Sequence, residues 1–264
     1  MTNTNIPPDH PRAESLRIRE KLVGHFHDGT VAETGLIAHG RGEAFDYLLG
    51  EKTTKPASQA IRAAAATLLN AEKPVISVNG NAAALAAEEI VKLAKATNAR
   101  IEVNLFYRSL EREGAVKKLL EKAGAHEILG IGENASARIA ELNSERRRVD
   151  PRGILSADVV MVPLEDGDRT EALVKMRKKV IAIDLNPLSR TAQKATITIV
   201  DNIVRAAPKL IETAQTLRKK NPRERRRILQ SFDNGNNLTE SLAIIMERLS
   251  RMAEATARAA SKDQ

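Results

Sequence analysis

From Pro74 to Asp201 the chain alternates short β-branched runs with amphipathic helical stretches, and no other feature narrows its possible folds as far. Residues 75–79, 100–106, 127–131, 158–163, 180–185 and 197–200 are predicted strands. Several are apolar on both faces, as parallel strands covered by helices on each side must be. Between them, residues 82–97, 110–123, 135–147 and 169–178 carry alanine and leucine at spacings of three and four, the helical period. The expectation is an α/β fold: a doubly wound, Rossmann-like, mainly parallel sheet. Such a sheet places its ligands beyond the carboxyl ends of the strands, so function is sought in the loops leaving those ends.

Residues 12–27, 31–39 and 58–70 before the sheet, and 203–219, 223–232 and 238–259 after it, read as helices, giving N- and C-terminal helical extensions. The run from Asp233 to Asn237 is expected to interrupt the last helices as a turn, with Asn237 capping the final one. A length of 264 residues suits one main domain, divided into a helical part (1–72), a Rossmann-like core (73–202) and C-terminal helices (203–264).

Composition removes several function classes. There is no cysteine, which excludes disulfides, thiolate metal sites and a cysteine nucleophile, and fits a cytoplasmic location. The polar N-terminus lacks a secretory pattern and no apolar run reaches the roughly 18 residues of a membrane span, so a soluble chain is expected. Net charge is +8, yet residues 205–264 hold 13 Lys/Arg against 7 Asp/Glu, which assigns most of the excess to solvated faces of the last helices. Aromatic content of 2% removes the stacking platforms of single-strand binders, and no nucleic-acid partner is expected.

Four loops concentrate polar chemistry. In His39-Gly40-Arg41-Gly42-Glu43, glycines flank an arginine at what reads as the start of a helix, where guanidinium and backbone N–H groups together favour a phosphate; an ordinary turn with a solvated arginine is the alternative. Asn79-Gly80-Asn81 leaves a predicted strand and suits either a polar substrate or the capping of the next helix. The stretch Val162-Pro163-Leu164-Glu165-Asp166-Gly167-Asp168-Arg169-Thr170 crowds three carboxylates and an arginine at one exit, able to hold Mg²⁺ or orient an amine, with Asp168 as helix cap the other reading. Asp184-Leu185-Asn186 and Asp201-Asn202 put an Asp and an Asn at each of two strand ends, with Arg190-Thr191 between them in sequence. Such groups bond a ribose or base edge while arginine meets phosphate, or else they simply form turns.

Other signals are weaker. Gly130-Ile131-Gly132-Glu133-Asn134-Ala135 meets the glycine part of a dinucleotide fingerprint, but the acid expected about 20 residues on is missing, and no Walker-type loop occurs. His10, His25, His27, His39 and His126 show no metal-ligand spacing, so the metal ligands are unknown; His39 beside Arg41 is a candidate for proton transfer. A nicotinamide-dependent oxidoreductase and a nucleic-acid binder using the basic tail stay open as alternatives.

At these residues the chain resembles the archaeal 4-phosphopantoate–β-alanine ligases, or phosphopantothenate synthetases, of coenzyme A biosynthesis. The resemblance rests on His10-Pro11-Arg12, Arg19-Glu20-Lys21, the contiguous run from Gly35 to Leu48, Val78-Asn79-Gly80-Asn81, Asn104-Leu105-Phe106-Tyr107-Arg108 and the strand exits above; residues 121–152 match least. It implies an ATP- and Mg²⁺-dependent condensation of (R)-4-phosphopantoate with β-alanine, releasing AMP and diphosphate, by a homodimer. It implies ATP contacts at Arg19, Arg41, Asp184, Leu185, Asn186, Arg190, Thr191, Asp201 and Asn202, with Arg41 and Arg190 acting on the transferred charge. Strand-end position adds Asn79, Gly80, Asn81, Arg108, Asp166, Asp168 and Arg169 as candidates for the other two substrates.

Overall fold

In the computed structural model, which describes residues 6–7, 9–10 and 12–260, three helices precede the sheet: α1 (Ala13–His27), α2 (Glu33–Leu49) and α3 (Lys55–Asn70). The alternating region then gives β1 (Pro74–Val78), α4 (Gly80–Thr97), β2 (Arg100–Val103) and α5 (Leu110–Lys122). An irregular segment holds two short strands, β3 (Ala137–Arg138) and β4 (Arg148–Val149). Regularity returns with β5 (Val159–Pro163), α6 (Gly167–Lys175), β6 (Lys179–Ile183), α7 (Arg190–Lys194) and β7 (Ile197–Ile199), followed by α8 (Ile203–Arg218), α9 (Pro222–Gln230) and α10 (Asn234–Ala260). Pro11 of the His10-Pro11-Arg12 motif lies outside the described residues.

Five strands form one sheet in the order β2-β1-β5-β6-β7, with every pairing parallel. β-branched side chains fit a pleat buried on both faces, and the strands use that fit in alternation. Ile76, Val78, Met161, Ile181 and Ile183 pack toward α3, α4 and α8. Val75, Val160, Val162, Val180 and Ala182 pack toward α6 and the irregular segment. On α3, Ala60, Ala63, Ala64, Ala65 and Ala66 are wholly buried, small enough to let that helix lie close to its neighbours. The chain runs from β1 outward to β2 and returns on β1's other side as β5, so the topological switch point, where doubly wound sheets bind ligands, falls between β1 and β5.

The structure departs from the sequence reading in four places. The predicted strand at 127–131 makes a single bridge, Glu102 to Leu129, and the predicted helix at 135–147 is absent, replaced by the antiparallel β3–β4 ribbon. Side chains from β2 and its exit take the backbone groups a helix would have used. Asn104 Nδ2 donates to Arg146 O (3.2 Å) and Arg148 O (3.0 Å), and Glu102 accepts from Asp150 N (3.0 Å) and Ile154 N (2.5 Å). Burial raises the Glu102 carboxyl to about 7, against the pull of those two backbone donors.

The third difference is α2, which runs unbroken through Gly40-Arg41-Gly42, so no helix N-terminus lies there. Of its glycines Gly35 is required by close packing, since a Cβ there would collide with the Asn81 side chain; one at Gly42 would only touch Leu185, and one at Gly40 would meet nothing. Fourth, α10 starts at Asn234 and its first turn is capped by Asp233, whose Oδ1 accepts from Asn236 N (2.6 Å). Asn237 instead lies inside the helix and donates to Thr198 O (2.8 Å), fastening α10 to β7. Among the described residues no helix is long and apolar enough to cross a membrane.

Candidate active site at the switch point

A cavity of about 610 Å³ opens over the carboxyl ends of the strands, roofed by α2. Asn79 forms its sill. As N-cap of α4 its Oδ1 accepts from Ala82 N (2.9 Å), while its Nδ2 donates to Pro163 O (3.0 Å) and Leu164 O (2.9 Å), so one amide joins the exits of β1 and β5. Asn81 donates to Gly35 O (2.7 Å) and ties the start of α4 to the roof. Leu164 takes a left-handed φ of 55°, which turns the following Glu165, Asp166 and Gly167 into the cavity wall.

On the β6–β7 side the loops satisfy themselves. Asp184 Oδ1 accepts from Asn186 N (2.9 Å), its other oxygen accepts from Ser189 Oγ, and Ser189 Oγ in turn caps α7 by accepting from Ala192 N (2.9 Å). Burial pushes the Asp184 carboxyl up, while those donors and the Arg41 charge pull it down. Arg41 rides on α2, exposed at the cavity, with no hydrogen bond or ion pair of its own among the described residues. Arg190 Nη2 lies 2.5 Å from Glu171, and its stem lies against Gly167, where a Cβ would sit 2.5 Å from Arg190 Cβ. Thr191 donates to Glu165 O (2.8 Å).

The β1–β2 side is built from buried charge. Glu165, with a side chain 1% exposed, accepts from Arg146 (3.0 Å) and pairs with Arg169, while Arg146 Nε lies 2.6 Å from Asp166. Burial, with the neighbouring Glu165 and Asp168, raises the Asp166 carboxyl, and Arg146 opposes them. Arg112, with Arg146, completes this wall beside Phe106 and Tyr107.

Of the residues singled out in the sequence, Arg41, Asn79, Gly80, Asn81, Asp166, Asp184, Leu185, Asn186, Arg190, Thr191 and Asn202 all line this one cavity. The others lie elsewhere. Arg19 is held on the outer side of α2 by Glu43 (2.7 Å) and Tyr47 (3.3 Å). Arg108 is buried against Glu113 and donates to Gly130 O (2.6 Å). Arg169 is wholly buried beneath the wall, with Ser77 Oγ at 3.1 Å, and Asp168 faces solvent on the first turn of α6. Asp201 lies under the floor, accepting from Thr53 (2.7 Å) and Arg205 (2.9 Å). His39 lines the cavity with a buried, unpartnered Nε2, and burial holds its pKa down, which favours the neutral ring.

Sequence reasoning missed Arg112, Arg146 and the wall role of Glu165. One signal was available for Arg112: Ser109 caps α5 just after β2, and its Oγ accepts from Arg112 N (3.3 Å), which places Arg112 at a strand exit like the others. No such signal marks Arg146, which reaches the cavity from the irregular segment.

Fold and cavity together define a doubly wound α/β protein with a switch-point pocket for polar, anionic ligands. Comparison with known proteins narrows the class. A family model described as phosphopantothenate/pantothenate synthetase matches residues 56–248. A Thermococcus kodakarensis protein named 4-phosphopantoate–β-alanine ligase is 55% identical over 251 residues, covering 95% of each chain. Proteins of the same name from Thermococcus onnurineus, 55% identical over 94% of this chain and 95% of its own, and from Methanosarcina mazei, 52% identical over 96% of this chain and 99% of its own, match as fully. The chain belongs to the phosphopantothenate/pantothenate synthetase family.

Proposed function

We propose that this chain condenses (R)-4-phosphopantoate with β-alanine, cleaving ATP to AMP and diphosphate and yielding 4′-phosphopantothenate. The observation that carries this reading is the convergence on one cavity of Arg41, Asn186, Arg190 and Asn202 with Glu165, Asp166, Arg112 and Arg146, brought there by strand exits, α2, α5 and the irregular segment. A carboxylate is a poor electrophile. Its oxygen attacks the α-phosphorus of ATP and diphosphate leaves; the amine of β-alanine then attacks the acyl carbon, AMP departs, and the amine gives up a proton.

In this reading the β6–β7 end holds ATP. The amide of Asn186 suits a ribose or base edge, Asn202 closes that end of the cavity while holding Asp46, and Arg41 and Arg190 meet phosphate charge as it redistributes. Arg41 suits the moving charge because, among the described residues, it forms no ion pair or hydrogen bond, only a longer-range attraction to Asp184. The β-alanine ammonium requires an anionic contact, which Asp166 at the β5 exit supplies. Among the described residues no group of three acidic or histidine side chains gathers to hold a metal. Mg²⁺ bound to the triphosphate would supply charge neutralisation, and Asp184, which lines the cavity at the β6 exit, is the residue that would hold it. We read residues 1–264 as one cytoplasmic ligase domain working as a homodimer; the exposed Met246, Leu249 and Met252 on α10 support an apolar contact with a second copy.

The test is product analysis with the full chain, ATP, Mg²⁺, phosphopantoate and β-alanine. Equal amounts of AMP and phosphopantothenate are expected. ADP would move the reaction to an acyl phosphate, and the lack of any amide product would overturn the reading.

A further inference from the structure

Glu102 stands on β2 between Ile101 and Val103, wholly buried. Its carboxylate lies in a socket shaped for it. Oε1 accepts from Asp150 N (3.0 Å) and Oε2 from Ile154 N (2.5 Å), so the two oxygens hold both ends of the turn that follows β4. A Cβ at Gly153 would collide with Oε2, and one at Gly130, where φ is +76°, would stand 2.7 Å from Cγ. Two residues on, Asn104 donates to Arg146 O (3.2 Å) and Arg148 O (3.0 Å), and its own carbonyl accepts from Arg146 Nη1 (3.1 Å). Glu102 and Asn104 thus grip the stretch 146–154 at its two ends, and that stretch delivers Arg146 to the cavity.

A second route from Glu102 to Arg146 is electrostatic. Ser77, opposite Glu102 on β1, accepts from Arg169 Nη1 (3.1 Å), and the wholly buried Arg169 pairs with Glu165 while Glu102 also attracts it. Glu165 is in turn a partner of Arg146 (3.0 Å). With Glu102 ionised, two carboxylates answer Arg169; with Glu102 neutral, Arg169 draws on Glu165 alone, at the expense of Arg146. The other charges facing Glu102 are Lys178, just ahead of β6, which it attracts, and Asp150, which opposes its ionisation and is itself paired with Arg152 (3.0 Å). Protonation turns one acceptor oxygen of Glu102 into a hydroxyl, so the turn loses a charge-assisted bond. With burial raising this carboxyl to about 7, both forms are present near neutral pH.

We propose that Glu102 is a positioning residue of the ligase: its carboxylate fixes the stretch 146–154 and so the aim of Arg146 at the cavity wall, its neutral form releases that stretch, and turnover follows the charge of a side chain that touches no substrate. This rests on the ligase reading, in which Asp166, held by Arg146 Nε at 2.6 Å, meets the amine. Burial and function then favour opposite forms. The neutral carboxyl is the easier to bury and the carboxylate the more active, so activity rises with pH across the window in which stability declines. A role confined to the fold gives the reverse order or no dependence.

The test compares kcat of the wild type and of Glu102→Gln, an uncharged isostere, at saturating ATP, phosphopantoate and β-alanine from about pH 5.5 to about pH 8.5. Asp166 and the substrates titrate alike in both proteins, so the ratio of the two rates isolates Glu102. That ratio is expected to climb from near unity at the acid end to roughly tenfold at the alkaline end, as a small displacement of a positioned group implies, with KM for ATP unchanged. Glu102→Asp, which keeps the charge, should retain the rise. In isotopically labelled wild type, the backbone N–H signals of Asp150 and Ile154 should titrate with a midpoint that kcat shares, a measurement that needs no variant. A ratio that stays level or falls as pH rises, or N–H signals that titrate while kcat does not, would overturn the assignment. Wild type that shows the N–H titration yet forms no phosphopantothenate at any pH would sink the ligase reading alone.

Discussion

On the β6–β7 side of the switch point, short regular strands end in Asx turns that satisfy their own polar groups, and the cationic residues there, Arg41 and Arg190, are exposed. On the β1–β2 side the chain between α5 and β5 lacks long elements and is held by buried side chains: Glu102 on the backbone of Asp150 and Ile154, Asn104 on Arg146 and Arg148, and Arg146 on Glu165. The first side positions its strand-end groups by hydrophobic packing of the strands beneath them. The second does so by charge, so its binding wall and its structural frame are the same residues. Substitutions should therefore separate cleanly on one side and not on the other.

The largest effect is expected at Glu165. Glu165→Ala leaves the wholly buried Arg169 without its carboxylate and strips Arg146 of one partner, so stability should fall by about 3–5 kcal/mol, read by chemical denaturation. A smaller loss would show that water or backbone shift relieves the arginines and that this wall is less charge-bound than its geometry implies. Next comes Arg41→Ala, expected to lower turnover at saturating ATP by roughly 10²-fold, as removing one preorganised donor from developing charge does, with the melting temperature nearly unmoved. A large drop in melting temperature would erase the contrast between the two sides.

Glu102 gives an intermediate effect with a defined sign. Its folded-state pKa, about 7, stands above the ordinary value of 4.5, so its protonated form favours folding. The stabilisation is complete below about pH 4.5 and is lost as pH rises through 7, by an amount on the order of 3 kcal/mol. Denaturation midpoints across that window should decline in the wild type relative to Glu102→Gln; parallel curves would contradict the assignment. The smallest effect is expected for Arg190→Ala, which should weaken ATP about tenfold or less, since its side chain is 60% exposed and must first leave Glu171. Titration with ATP showing a hundredfold loss would make Arg190 a principal anchor.

The same contrast explains how much was legible in the sequence. The strands that became β1, β5, β6 and β7 could be read because burial on both faces leaves a nearly pure β-branched signature. The strand exits carrying Asn79, Asp166, Asp184, Asn186 and Asn202 then followed from the fold rule alone. The segment around residues 125–157 could not be read, because its conformation is set by Glu102, Asn104 and Arg108, which lie far from it in the chain and carry no local periodicity. Gly42 misled for a related reason: within α2 it packs against Leu185, as Gly35 does against Asn81 of α4, which a local turn rule cannot see, while a Cβ at Gly40 would meet nothing within 4 Å.

Asn202 donates to Asp46 (3.0 Å), and Asp46 also receives both terminal nitrogens of Arg205, so α2 is pinned to the end of β7. Arg41 stands on that same helix, little more than one turn before Asp46. The reach of its guanidinium is therefore calibrated at a latch that lies below the cavity floor. A change at Asp46 would alter the aim of Arg41 while every group in the pocket kept its identity, and an enzymologist would see a slower reaction at an apparently intact site.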